Sequence, residues 1–166
     1  MKLWHGIVAA VSLLLTAVYL FPLLSNRGRR TPERTACVIN LKQIAMAHLM
    51  YAGDYDDRFP DRDVWMDVVF PYIKNKDIYH CPGIQREEPQ LEIYGYCFNA
   101  ELSRAKLPPL NLELKPLAFD SVNLARNASG FVDSLPSPGR HKSETADAAY
   151  NTIAYADGHA KAQLGP

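Results

Sequence analysis

Four residues toward the C-terminal end carry side chains that could do chemistry together: Asp133, His141, Asp157 and His159. Two imidazoles and two carboxylates can ligate zinc, or can divide the work of acid and base. Against this, Asp157-Gly158 is a dipeptide that a tight hairpin turn needs for its own backbone, and His159 follows it on an exposed strand end. The bland alternative is a hydrogen bond between His141 and Asp157 within a loop. A metal-dependent hydrolase built on His141, Asp157 and His159 is therefore a third-ranked reading.

Cysteine is the other reactive type present. Cys37, Cys81 and Cys97 are too few for a disulfide scaffold, and no CxxC pair points to zinc or redox chemistry. One disulfide and one free thiol is the expected state, with Cys37 and Cys81 the favoured pair. Cys97 stays open as the partner of Cys81, and three reduced, packed thiols are the alternative. Cys97 lies among aromatic residues with no neighbouring charge to activate it. His48 falls on an apolar helix face and reads as a core or interface histidine.

The acidic loop from Gly53 to Asp63 holds Asp54, Asp56, Asp57, Asp61 and Asp63 but lacks the glycine and glutamate of an EF-hand. Arg58 and Arg62 balance it, so a solvated loop is expected. No Gly-rich phosphate loop, GxSxG elbow or HExxH helix is present. No enzyme activity, no cofactor and no catalytic, cofactor-binding or metal residues are expected.

The elements that position these residues follow from periodicity. From Leu3 to Leu24 the clearly polar side chains are His5, Ser12 and Thr16, and such a run in a helix crosses about 30 Å of hydrocarbon. A transmembrane helix with its flanks is expected over 1–26, with Trp4, Tyr19 and Phe21 suited to the interfaces and Pro22 near its end. Arg27, Arg29, Arg30 and Arg34 follow it while Lys2 precedes it, so charge alone points the rest of the chain into the cytoplasm. The remainder, 27–166, reads as one domain.

Within that domain Thr31-Pro32-Glu33 is a helix start, and Val38, Leu41, Ile44 or Ala45, His48 or Leu49, and Ala52 line one apolar face of a helix over about 32–52. A short amphipathic helix is expected from Val64 to Ile73. A strand interrupted by Gly95 is expected from Glu92 to Asn99, and a short strand from Gly130 to Asp133. The Pro-rich connection from Ala105 to Pro116 could present a binding loop. The strongest local signal is a β-hairpin over about 152–162 around Asp157-Gly158.

With 18 basic and 18 acidic residues the chain offers no electrostatic footprint for nucleic acid, which is excluded as a partner. Its 12 prolines and 9 glycines, nearly all beyond the apolar segment, predict a loop-rich domain.

The order of signals resembles the pilin-like and pseudopilin-like proteins of Planctomycetes-type bacteria, whose C-terminal signature is His, nine residues, Asp-Gly. The resemblance is carried by Leu20-Phe21-Pro22, by Cys37-Val38-Ile39-Asn40-Leu41-Lys42-Gln43-Ile44, and by Tyr51-Ala52-Gly53-Asp54-Tyr55-Asp56-Asp57-Arg58-Phe59-Pro60. Further matches are Trp65, Pro71-Tyr72-Ile73-Lys74-Asn75, Cys81-Pro82, Tyr94-Gly95-Tyr96 and Ala156-Asp157-Gly158-His159. The signature residues would be His141, Asp157, Gly158 and His159.

Two departures stand out. Val11 occupies the place of the glutamate in a prepilin processing site, and fifteen residues separate His141 from Asp157, consistent with an insertion around Glu144 to Ala149.

The resemblance implies an α+β fold in which a long N-terminal helix, membrane-spanning in its first half, packs on a small antiparallel sheet. It implies a single-pass inner-membrane protein with a periplasmic head. It also implies a structural role in type II secretion or type IV pilus assembly, as a homo- or hetero-oligomer joined to other pilin-like subunits through the N-terminal helix. A membrane-tethered extracytoplasmic binding module is the alternative.

Overall fold

The computed structural model describes residues 5, 12, 14–16, 33–87, 93–107, 111–142 and 148–165. Met1–Thr31 and Pro32–Pro166 are separate compact units. In the first, His5, Ser12, Leu14, Leu15 and Thr16 are helical, and the Thr16 hydroxyl donates to the Ser12 carbonyl at 2.9 Å.

The expected long N-terminal helix is overturned. Among the described residues no helix is long and apolar enough to cross a membrane. The helix that packs on the sheet, α1, starts at Glu33 and runs to Asp54. Its physical character explains the difference: α1 is a half-exposed globular helix carrying Glu33, Arg34, Lys42 and Asp54. Most of the apolar run from Leu3 to Leu24 lies outside the described residues, as do Thr31-Pro32 and the arginines at 27, 29 and 30.

α1 buries Cys37, Leu41, Ile44, Ala45, Ala47, His48 and Ala52, at the three- and four-residue steps of one helical face. The stripe opens at Cys37, one position earlier than the sequence pattern suggests, which turns that thiol inward. This face lies on α2 (Trp65–Ile73) and on the sheet. A short helix, α3 (Pro82–Glu87), follows the Cys-Pro corner.

The strands are β1 (Tyr96–Asn99), β2 (Pro116–Asp120), β3 (Ser129–Gly130), β4 (His141–Lys142), β5 (Ala149–Tyr155) and β6 (Ala160–Leu164). Their order is β3-β1-β2-β5-β4, with β6 also on β5. β3 runs parallel to β1, and the remaining pairs are antiparallel. β1 follows Gly95 instead of running through it, and β3 is shorter than the expected Gly130–Asp133 strand, passing into a 3-10 turn at Val132–Ser134.

Alternation along β1 divides the interior. Tyr96 and Phe98 join the core under α1 with Trp65, Phe59, Leu41 and Ile44, while Cys97 joins Phe119, Ala128, Ile153 and Tyr155. Trp65 is fully buried, and its indole N–H donates to the Ala128 carbonyl at 3.0 Å, so the ring's one polar atom is satisfied.

The Asp157-Gly158 turn joins β5 to β6, pairing Ala154 with Ala160 and Tyr150 with Leu164. Gly158 has φ +93°, a conformation that favours glycine, so the turn requires it, and a Cβ there would press 2.8 Å from the movable Met46 sulfur.

Candidate functional site

Where α1, the Cys-Pro corner and the ends of β2 and β4 meet, polar and reactive side chains gather in the interior. α1 supplies Cys37 and Asn40. The corner supplies Cys81, β1 supplies Tyr96, β2 ends on Asp120, and Arg140 and His141 lead into and begin β4.

Asp120 is the hub. Its Oδ2 accepts from the Thr152 backbone N–H at 2.6 Å, the Thr152 hydroxyl at 2.9 Å and His141 Nε2 at 3.1 Å. Its Oδ1 accepts from Arg140 at 3.2 Å. The Arg140 guanidinium also donates to the backbone carbonyls of Gly95 and Ser121. A carboxylate with no solvent exposure is thus met by two cationic side chains and a strand donor, the condition under which a buried charge is tolerated.

His141 bridges this hub to the thiols. Nε2 donates to Asp120, and the ligating atoms of His141, Cys81 and Cys37 all lie within 4.8 Å of one another. Burial alone would lower the imidazole pKa, but the bonds to Asp120 and Cys81 outweigh it and raise it to about 9. Both neighbours thus favour the protonated ring.

The sulfurs of Cys37 and Cys81 lie 2.9 Å apart and share a hydrogen bond, each cysteine being a free thiol. That bond, with help from His141 and Arg140 and against the opposing effect of burial, draws Cys81 toward its thiolate form. The same bond and burial hold Cys37 protonated. Tyr96 and Asn40 close the pocket, Asn40 Nδ2 donating to the His80 carbonyl at 3.3 Å and to the Tyr96 hydroxyl at 3.4 Å.

The corner is held by a close backbone approach. Gly95 N–H donates to the Tyr79 carbonyl at 3.2 Å. A Cβ on Gly95 would stand 2.4 Å from Cys81 Cβ and 2.8 Å from its backbone nitrogen. Gly95→Ala is expected to displace the Cys81 corner and cost about 1–3 kcal/mol, as overpacking of an interior does. Urea unfolding of the two proteins checks this, and an unchanged midpoint would mean the corner yields freely.

Only His141 of the four C-terminal candidates enters this site. Asp157 and His159 bond to each other across the hairpin turn at 2.6 Å, and the His159 ring stacks on Tyr155. Asp133 is exposed in the turn after β3. Among the described residues, the ligating atoms that converge belong to Cys37, Cys81 and His141, all within 4.8 Å of one another. The hydrolase constellation is therefore dispersed.

Cys97 sits apart, its thiol donating to the Phe98 carbonyl at 3.6 Å and its pKa raised by burial to about 11. In the acidic loop Asp61 pairs with Arg104, Asp63 with Arg62, and Asp54 accepts from the Tyr72 hydroxyl at 2.7 Å. Residues 108–110 of the Pro-rich connection and 144–147 of the expected insertion lie outside the described residues.

Asp120, Arg140, Tyr96 and Asn40 escape a reading of the sequence. The available signals were an aspartate closing the apolar run Leu117-Ala118-Phe119, and an Arg-His pair entering from a Pro-Gly bend.

Compared with protein-family models, with curated proteins and with solved structures, the chain finds no match in any of the three.

Proposed function

We propose that this chain is a pilin-like structural subunit, without catalytic activity, whose head acts outside the cytoplasm and joins neighbouring copies through the outer face of α1. The observation that carries the reading is the division of α1. One face is buried on the sheet, while Ile39, Met46 and Met50 stand 48%, 46% and 54% exposed on the helix.

With Gln43 these residues fall at steps of four, three and four, the spacing of a helix-to-helix seam. Tyr72 and Ile73 of α2 and Ile78 flank the seam, making a shallow apolar groove that a second α1 can enter. Large apolar side chains grouped in this way mark association surfaces more than scattered ones do.

The signature residues fit a structural role on the same reading. Gly158 lets the hairpin turn approach Met46 and Leu49 of α1, and His141 is held inside by Asp120. The dispersed C-terminal carboxylates and imidazoles favour this over hydrolysis.

The test uses the full chain with its N-terminal segment in detergent. Sedimentation and short-range cross-linking should show self-association that Ile39→Glu with Met46→Glu reduces at least tenfold, while circular dichroism stays unchanged. A monomer at every concentration, or association indifferent to both substitutions, would remove the proposal.

A further inference from the structure

We propose that Cys37 and Cys81 are a redox pair that closes to a disulfide, with Cys81 the attacking sulfur and His141 the residue that sets how readily the bond reopens. The inference concerns the interior of the head and is independent of what assembles on α1.

Geometry selects the pair. Cys37 comes from α1 and Cys81 from the corner before α3, yet their sulfurs are 2.9 Å apart, and bond formation brings such atoms to about 2.05 Å. Cys97 packs in the separate cluster with Phe119 and Ile153, which removes it as the partner of Cys81.

Chemistry assigns the roles. Thiol–disulfide exchange proceeds through a thiolate, and Cys81 is the sulfur that a thiol donor and an imidazolium both face. When an opening of the Cys-Pro corner exposes Cys81, which is otherwise buried, its thiolate attacks one sulfur of a low-molecular-weight disulfide, the oxidant, and expels the other as a thiolate. Cys37 then gives up its proton, attacks Cys81 in the mixed disulfide and expels the second thiolate. The sum is two protein thiols and one oxidant disulfide giving one protein disulfide and two small thiols, a two-electron oxidation of the protein.

His141 enters through the reduced state. A thiolate beside an imidazolium is stabilised, whereas a disulfide carries no charge for the ring to meet. The His141–Cys81 contact therefore favours the reduced form and makes the disulfide more easily reduced than the same bond in an apolar setting. His141 is a positioning residue here, held by Asp120.

A metal ion is the competing occupant of these three ligands. Two thiolates on a tetrahedral zinc lie about 3.8 Å apart, given zinc–sulfur bonds of about 2.3 Å, so the sulfurs would have to separate.

The full chain, purified with reductant, is equilibrated against mixtures of reduced and oxidised glutathione, acid-quenched and weighed. The expected result is a loss of about 2 Da and a peptide joining Cys37 to Cys81. Cys37→Ser and Cys81→Ser abolish this and Cys97→Ser does not. His141→Gln moves the equilibrium constant about tenfold toward the disulfide.

Should His141→Gln fail to fold, the histidine ring resonances of the wild-type protein answer instead, His141 changing its shift between the reduced and oxidised forms. Three thiols persisting against excess oxidised glutathione, a bridge that uses Cys97, or one zinc per chain protecting both thiols would overturn the pairing. An unmoved His141→Gln constant, or an unmoved ring resonance, would overturn the role of His141.

Discussion

Asp120→Ala is expected to lower the stability of the head by about 3–5 kcal/mol at pH 7, the loss that follows removal of one partner from a buried charge cluster. The carboxylate accepts from four donors: the Thr152 backbone N–H, the Thr152 hydroxyl, His141 Nε2 and Arg140. Alanine would leave all four facing an apolar void. Two of them belong to cationic side chains that are themselves almost wholly buried. A folded domain has about 5–15 kcal/mol in hand, so the variant approaches the limit of folding.

Asp120→Asn separates charge from shape. It keeps the volume but turns an amide N–H₂ toward a ring of donors, so a loss of comparable size is expected. If packing alone mattered, asparagine would be mild. Urea unfolding of the three proteins decides, and a loss below about 1 kcal/mol for alanine would show that the hub is dispensable.

A double-mutant cycle with His141→Ala adds a second reading. Both residues act through one hydrogen bond, so the paired substitution should cost clearly less than the sum of the single ones.

Parts of the fold governed by local chemistry could be read without a structure. The hairpin was expected at 152–162 and is found as Ala149–Tyr155 and Ala160–Leu164, because Asp157-Gly158 states a turn within two residues. The helix expected over 32–52 is found at Glu33–Asp54, and that over Val64–Ile73 at Trp65–Ile73, since periodicity repeats over several turns. The expected membrane-spanning helix rests on apolar length, interfacial aromatics and the pilin-like resemblance, and no helix among the described residues is long and apolar enough to cross a membrane.

The site resisted prediction for a physical reason. Its members at positions 37, 81, 96, 120, 140, 141 and 152 come from six different elements or corners, and no local spacing ties them together. Sequence proximity to the hairpin groups His141 with Asp157. Its strand instead pairs His141 with Tyr150, at the end of β5 remote from the turn, and the ring turns inward to Asp120. A pairing register decides which carboxylate meets an imidazole, and one sequence does not display it.

His48 leads to the other large effect, a loss of stability in mild acid. The ring is wholly buried between Trp65 and Phe98, at centroid distances of 5.4 and 5.1 Å, and its Nδ1 bonds the Ile44 carbonyl at 2.8 Å. Nε2 has no partner among the described residues. Desolvation against this apolar, aromatic surround lowers the pKa from 6.5 to about 4, outweighing the contrary effect of the Ile44 bond.

The direction of the pH effect follows from which state binds the proton first. As pH falls below 6.5 the unfolded chain protonates this histidine, while the folded head keeps it neutral until about pH 4. Stability contributed by the neutral ring is therefore full above the unfolded value, declines through the interval between the two, and is gone below the lower one. A shift of this size corresponds to about 3 kcal/mol.

His48→Leu, of similar volume and without a proton to gain, should change stability little at pH 7, the lost Nδ1–Ile44 bond being offset by removal of the unpartnered Nε2 from the interior. At pH 4 the same variant should exceed the wild type by about 3 kcal/mol. Urea unfolding at half-unit intervals from pH 7 to pH 4 tests this. Parallel curves for the two proteins would mean that the acid loss arises at other groups and that the buried ring is not its source.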